Sequence, residues 1–298
     1  MRNIRSCVAN TLATGKSGCQ IEFGKIRSII LVPHGTKLLA ISQGVGGTLG
    51  EALMSLLGAS SLKAACHADL PNRIYPIKDI VEYAKNGGEP QVSAVGYGGS
   101  GVTGLSARTD TFTIATYNEQ LAASLTKNMN RRFDAYYVDE NSVIYGIQKD
   151  DNLYGFPLET VYCTVTPHPT SSAKATMTVS CCLENAREAI EKLDYIQAKF
   201  DVNDALVGLV PFDLMEVATG KWKLIETVGG YDLTETYGET IVTNHATIMD
   251  GVTSISYADG LLTITSPENA TPAFKKPSVT KTYLPGLEYN ATVTPSAS

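Results

Sequence analysis

Residues 109–148 read TDTFTIATYNEQLAASLTKNMNRRFDAYYVDENSVIYGIQ, and the changes of hydrophobic period along this stretch decide the fold class. Across 109–116, Phe112 and Ile114 alternate with threonines, the period of a strand with one buried face. At Asn118 the period lengthens. Leu121, Leu125 and Met129 fall four apart, as on one stripe of a helix, and Lys127, Arg131 and Arg132 gather where the helix dipole is negative. Residues 133–138 return to strand, Asp139-Glu140-Asn141-Ser142 supplies turn formers, and residues 143–147 resume an apolar β-type run. Strand, helix, strand, turn, strand predicts an α+β, β-rich architecture, and no residue in the stretch is spaced for chemistry.

Working outward toward the N-terminus, residues 91–95 form a short strand candidate before the run Gly96-Tyr97-Gly98-Gly99-Ser100-Gly101, and residues 85–90 form a loop. Residues 75–84 are ambiguous. Residues 26–32 predict a strand stopped by Pro33-His34-Gly35, with 38–42 as its hairpin partner. The glycines from Gly44 to Gly50 lead into a helix pattern over 51–65 that Gly58 and its serines weaken. Residues 1–24 have little periodicity and predict an extended N-terminal arm.

Toward the C-terminus, Asp150-Asp151-Asn152 is a turn, and strands are predicted over 160–166 and 173–181 with a loop between them. Asn185 and Glu188 have capping-box spacing, and Ile190, Leu193, Ile196 and Phe200 continue one apolar face, so a helix is expected over 184–200. From Asp204 the texture is β-rich, with short runs at 205–209, 212–218, 222–227, 254–257 and 261–265. Asp259-Gly260 between the last two predicts a hairpin, since glycine accepts the positive φ of a tight turn. The Pro-, Thr- and Ser-rich stretch from Ala270 predicts a C-terminal arm. The expected organisation is therefore an arm at 1–24, a β-rich core at 25–269 that could subdivide near 201–204, and an arm at 270–298.

With 298 residues, 43% of them hydrophobic and 18% charged, the chain can bury a sizeable core and leaves neutral surface for burial against partners. A net charge of −6 argues against gripping nucleic acid by phosphate neutralisation, though not against a surface that DNA slides past. The first residues are basic and polar rather than a secretory signal, and no stretch reaches the ~18 apolar residues of a membrane span, so folding in a cytoplasm is expected. Cys7, Cys19, Cys66, Cys163, Cys181 and Cys182 show no C-x-x-C spacing and are expected as free thiols in that compartment. The sequons at Asn269 and Asn290 are then chance matches.

The motifs that suggest chemistry are incomplete. Gly96, Gly98 and Gly101 satisfy G-x-G-x-x-G, but pyrophosphate binding needs a helix to start there, and the β pattern resumes by Thr109. The run Gly44 to Gly50 lacks the Lys-Ser/Thr ending of a phosphate loop. Ser100 follows Gly98 but precedes Val102, which breaks the nucleophile-elbow pattern. His34, His67, His168 and His245 are scattered, without helical metal-pair spacing, and His34 and His168 follow prolines in loops where a solvated ring is the default. The acid pairs Asp139-Glu140 and Asp150-Asp151 sit in turn-like segments and read as solvated turn acids, without calcium-loop spacing. Tyr136, Tyr137, Tyr145 and Tyr154 read as packing rather than a sugar platform. No catalytic, cofactor-binding or metal-ligating residue is assigned, and no cofactor is expected.

The order of elements from Tyr75 onward carries a resemblance. The glycine-rich approach to Thr109-Asp-Thr-Phe-Thr-Ile, the helix from Asn118 to Met129, Phe133-Asp-Ala-Tyr-Tyr-Val-Asp139 with Val143-Ile-Tyr-Gly146, and Gly155-Phe156 before another strand resemble structural proteins of tailed bacteriophages, above all the tail-tube (major tail) protein. Leu233-Thr-Glu-Thr-Tyr237, Asp259-Gly-Leu-Leu-Thr-Ile264 and Pro285-Gly-Leu-Glu288 fit the same pattern. The resemblance implies a β-sandwich or barrel-like core flanked by a helix, with six copies closing into a ring lined by a continuous β-barrel. It further implies that rings stack through loops and terminal arms into a virion tail, assembled in the bacterial cytoplasm. Its partners would be copies of itself, tape-measure and neck or terminator proteins, and DNA passing non-specifically through an acidic lumen, with no membrane. The alternatives are a capsid, neck or decoration protein, or a carbohydrate-binding adhesin module.

Overall fold

A computed structural model describes residues 23–38, 58–94, 96–149, 152–166, 168–171, 174–268 and 270–290. These fall into two units: the first ends at Leu206 and is interrupted by Lys63–Arg73, which belongs with Val207 onward to the second. The predicted elements at 1–22 and 39–57, Asp150-Asp151, Cys7 and Cys19 lie outside the described residues.

In the first unit, β1 (Ile26–Pro33) buries Ile29, Ile30, Leu31 and Val32, and stops where Gly35 turns with a φ of 79°. The helix α1 (Ala59–Cys66) runs across the division between units. The ambiguous residues 75–84 resolve into β2 (Tyr75–Ile77) and β3 (Ile80–Gly87). Next come β4 (Pro90–Ala94), β5 (Ser100–Leu105) and β6 (Arg108–Ile114). Helix α2 (Glu119–Asn128) starts where the Asn118 carboxamide accepts the Leu121 amide at 2.9 Å, and it buries Ala122 and Leu125. Strands β7 (Phe133–Asp139) and β8 (Val143–Lys149) then flank the expected turn, followed by β9 (Asn152–Tyr154), β10 (Phe156–Thr166) and β11 (Thr176–Leu183). Every change of period in residues 109–148 thus becomes an element boundary.

The sheet has ten strands along the order β12-β8-β7-β10-β11-β6-β3, where β12 is Leu193–Gln197, with β1, β2 and β9 on side branches. Strand β10 ties the two halves together. It pairs with β7 through Phe156 and Pro157, shifts register between Leu158 and Thr160, and continues along β11 to Thr166. Side chains from both halves meet in one core, where Tyr137 packs against Phe112 and Phe156 at centroid separations of 4.9 and 4.8 Å. The path of strands runs from β12 to β3 without returning, so no closed barrel forms among the described residues.

Two predictions here need correction. The helix expected over 184–200 is only α3 (Ala186–Glu191), capped by Asn185, after which the chain becomes strand β12 on the margin of β8. Ile190 and Leu193 remain about half exposed, at 49% and 46%, so the apolar face did not have a core to meet, and the β-prone Tyr195-Ile196 took the ladder instead. The run at 205–209, expected as a strand, follows the single turn α4 (Val202–Ala205) without becoming one.

The second unit is built on a five-stranded sheet ordered β16-β17-β14-β13-β19, comprising β13 (Val210–Ala218), β14 (Lys221–Glu226), β16 (Ser254–Ala258), β17 (Leu261–Thr265) and β19 (Leu287–Tyr289). The hairpin predicted at Asp259-Gly260 joins β16 to β17, with φ of 53° and 71° at its two central residues. Helix α5 (Thr234–Ile248), absent from the sequence reading, covers this sheet through Ile241 and Ile248. Gly238 allows the close approach, because a Cβ there would stand 2.6 Å from the Tyr257 ring. Residues 270–290, expected in an arm, instead supply β18 (Ala273–Phe274, paired with β15, Met249–Asp250), α6 (Pro277–Thr280) and β19, and bury Phe274, Leu284 and Leu287 in this core.

Candidate assembly surface

Strands β3 and β6 form an antiparallel ribbon from Ile80↔Ile114 to Gly87↔Arg108. The ribbon does not end there. Gly87 and Gly88, with φ of 78° and 75°, bend it, the Ser106 amide donates to the Glu89 carbonyl at 2.9 Å, and β4 pairs with β5 from Pro90↔Leu105 to Ala94↔Ser100. A Cβ on Gly87 would fall 2.0 Å from the Ala107 carbonyl oxygen, so the bend requires glycine. Five residues of strand carry the hairpin about 15 Å beyond it.

This hairpin buries almost nothing. Every residue of β4, and every residue of β5 before Leu105, is exposed, including Val92 at 60% and Val102 at 68%, and Tyr97 at its tip is fully open. Between Glu89 and Ala107 the only formal charge is Glu89 itself. An isolated two-stranded hairpin is marginal in water, and a neutral, glycine-rich edge lacks the lysines that normally block pairing with another chain. Strand β3 adds to the same surface: its outer edge pairs with no strand among the described residues, and Val81 and Tyr83 stand out from it at 55% and 39% exposure.

The root of the ribbon is built differently. Arg108 makes a bidentate pair with the fully buried Asp110, Nε to Oδ1 at 2.9 Å and Nη2 to Oδ2 at 2.8 Å. The hydroxyls of Tyr83 (3.3 Å) and Tyr137 (3.0 Å) also donate to Asp110, so both its oxygens are doubly satisfied. Burial, then the Asp110 charge, pushes the Tyr83 hydroxyl up, and burial holds Tyr137 well above the usual tyrosine range. For Arg108, burial opposes the charge, but its hydrogen bond and attraction to Asp110 outweigh that and raise it. The sequence offered only a faint signal for this cluster: Arg108 and Asp110 two apart on one strand face.

Two other acids are committed internally in the same way. Asp139, read from sequence as a solvated turn acid, is fully buried and accepts from the Asn141 and Val143 amides at 2.8 and 2.9 Å, the Tyr145 hydroxyl at 2.6 Å and the Gly24 amide at 3.0 Å. It serves as the internal anchor of the β7–β8 turn. Asp134 accepts from the Gly35 amide at 2.7 Å and meets His34 Nδ1 at 2.8 Å, while burial raises its carboxyl above the usual range. His34 is thus hydrogen-bonded to Asp134 rather than a free loop ring, although its side chain stays 45% exposed. Asp110 and Asp139 each accept four hydrogen bonds, two on each carboxylate oxygen, and Asp134 accepts from the Gly35 amide beside His34.

The remaining sequence candidates do not converge. Gly96, Gly98 and Gly101 lie at the hairpin tip and its return strand, followed by β5 rather than a helix, and Ser100 opens that strand. The run Gly44 to Gly50 lies outside the described residues. His67 and His245 bond backbone carbonyls, and His168 is exposed. Tyr136, Tyr137 and Tyr145 are buried and offer no exposed stacking platform. Among the described residues no group of three His, Cys, Asp or Glu could hold a metal ion, Cys163, Cys181 and Cys182 are free thiols while Cys66 is buried, and no helix is long and apolar enough to cross a membrane. Comparison with known proteins finds no family model and no curated protein that matches the chain.

Proposed function

We propose that this chain is a virion structural protein of a tailed bacteriophage, a tail-tube subunit whose copies close into six-membered rings that stack into a conduit for DNA. The observation that carries this reading is the exposed β4–β5 hairpin beside the open edge of β3, backbone donors and acceptors that a second copy can complete. A sheet that stays open in one subunit is also what ring closure requires, since each copy must leave a margin for the next. The net charge of −6 is consistent with a lumen that repels phosphates and lets DNA pass without sticking. In a virion the rings would meet tape-measure and neck or terminator proteins at the ends of the tube. Negative-stain micrographs of the purified protein test the proposal. Hollow stacked cylinders are expected; closed shells would move the protein to the capsid, and dispersed single subunits would end the assembly reading.

A further inference from the structure

We infer that residues 63–73 form a strap on the second unit that acid releases, with His67 as its pH-sensitive latch. The strap lies more than a hundred residues before the rest of its unit in sequence, so contacts rather than chain continuity with Val207 onward hold it there. Three tethers are present. Gly286 donates its amide to His67 Nε2 at 2.9 Å, Arg73 Nη1 pairs with Glu288 at 2.8 Å, and Asp69 accepts from Lys276 at 3.2 Å and Ser278 at 3.0 Å. All three reach residues 276–288, the segment that leads into and forms the start of β19.

The chemistry of His67 makes its tether conditional. Its Nδ1 stands 2.6 Å from the Lys63 carbonyl, which can only accept, so Nδ1 carries the proton. Its Nε2 faces an N–H and must therefore be bare. Both nitrogens are committed to the neutral ring, which is 2% exposed. A second proton would set Nε2–H against the Gly286 N–H and cancel that bond. Among the described residues no acid acts on the ring: the charged groups that do are Lys281 and Arg73, both cations, Lys63 is on its own helix, and Asp69 and Glu288 are already paired. Burial first, then these two cations, lower His67 below its ordinary 6.5 despite the Lys63 carbonyl. A depressed histidine is neutral when folded and protonates more readily when unfolded. Its contribution is therefore complete above the ordinary histidine range and lost as pH falls through the folded value. Gly286 has a φ of 78° and its carbonyl accepts the Val210 amide at 2.8 Å, so loss of the latch loosens the β13–β19 pairing along with the strap.

Two measurements on the full chain test this. Ring-nitrogen NMR at about pH 7.5 should show His67 as the Nδ1–H tautomer, titrating below the ordinary value. Hydrogen exchange, corrected for intrinsic rates, should rise about tenfold in peptides covering 63–73 and 284–290 between about pH 7.5 and pH 5, with residues 133–149 unchanged. His67→Gln should abolish that pH dependence, and if the variant does not fold, the wild-type ring signals decide. An Nε2–H tautomer, titration at or above the ordinary value, or strap exchange indifferent to pH would overturn the inference.

Discussion

Strand β7 and the hairpin β4–β5 lie some thirty residues apart in one unit and are both extended strand, yet all seven residues of β7 are buried and ten of the eleven in β4 and β5 are exposed. The first is finished inside the subunit. Its neighbours β1, β8 and β10 complete its ladder, and Asp134 and Asp139 on it accept from the Gly35, Asn141 and Val143 amides of the adjoining turns. The second has its cross-strand ladder and nothing else. The difference shows that β structure here has two destinations, a buried core and an exposed surface, and that the boundary between them is the Gly87–Gly88 bend over the Arg108–Asp110 root.

Substitutions should fall on one side or the other of that boundary. The largest loss of stability is expected for Asp110→Ala, which leaves the Arg108 charge and the buried Tyr137 hydroxyl, with the half-buried Tyr83 hydroxyl, without their acceptor. About 3–5 kcal/mol should disappear in urea unfolding, and a loss under about 1 kcal/mol would mean that the root does not hold the ribbon. Tyr145→Phe removes one of four donors to Asp139, and the carboxylate keeps three amides, so about 1–2 kcal/mol is expected by the same assay. Val102→Lys, on the open hairpin, should change subunit stability by no more than about 0.5 kcal/mol. It should nevertheless weaken assembly, because a charge on a free edge disfavours strand pairing between copies. A destabilisation as large as that of Asp110→Ala would place Val102 in a private core and erase the contrast.

Much of the private half was legible in sequence. The period changes in residues 109–148 mark β6 and α2 because each has one face against the core and burial writes period into sequence, while β7 and β8, buried almost throughout, read as β-prone runs around the turn formers at 139–142. The same rule explains the failures. Helix α5 is rich in threonine and β-branched residues and carries a glycine, so its local preference points to strand, and only packing on the sheet below Gly238 keeps it helical. The apolar stripe from Ile190 to Phe200 looked helical but was divided between a short helix and an edge strand. Pro, Thr and Ser in residues 270–290 suggested an arm, while Phe274, Leu284 and Leu287, spaced too irregularly for any period, complete the second core. The exposed hairpin was the least legible part. Its strands are exposed on both faces, so nothing imposes alternation, and the glycines that announced a loop at 96–101 are in fact the tip and return of a hairpin.

The most direct test of the account is the solution mass, by light scattering across a concentration series, of the intact chain and of a form in which a two-residue Asn-Gly turn replaces residues 90–105. The intact chain should appear as a closed multiple of 31.9 kDa or as larger stacks, and the shortened form should stay folded with its assembly lost or sharply weakened. A single 31.9 kDa species for the intact chain at every concentration, or equal assembly by both forms, would contradict it.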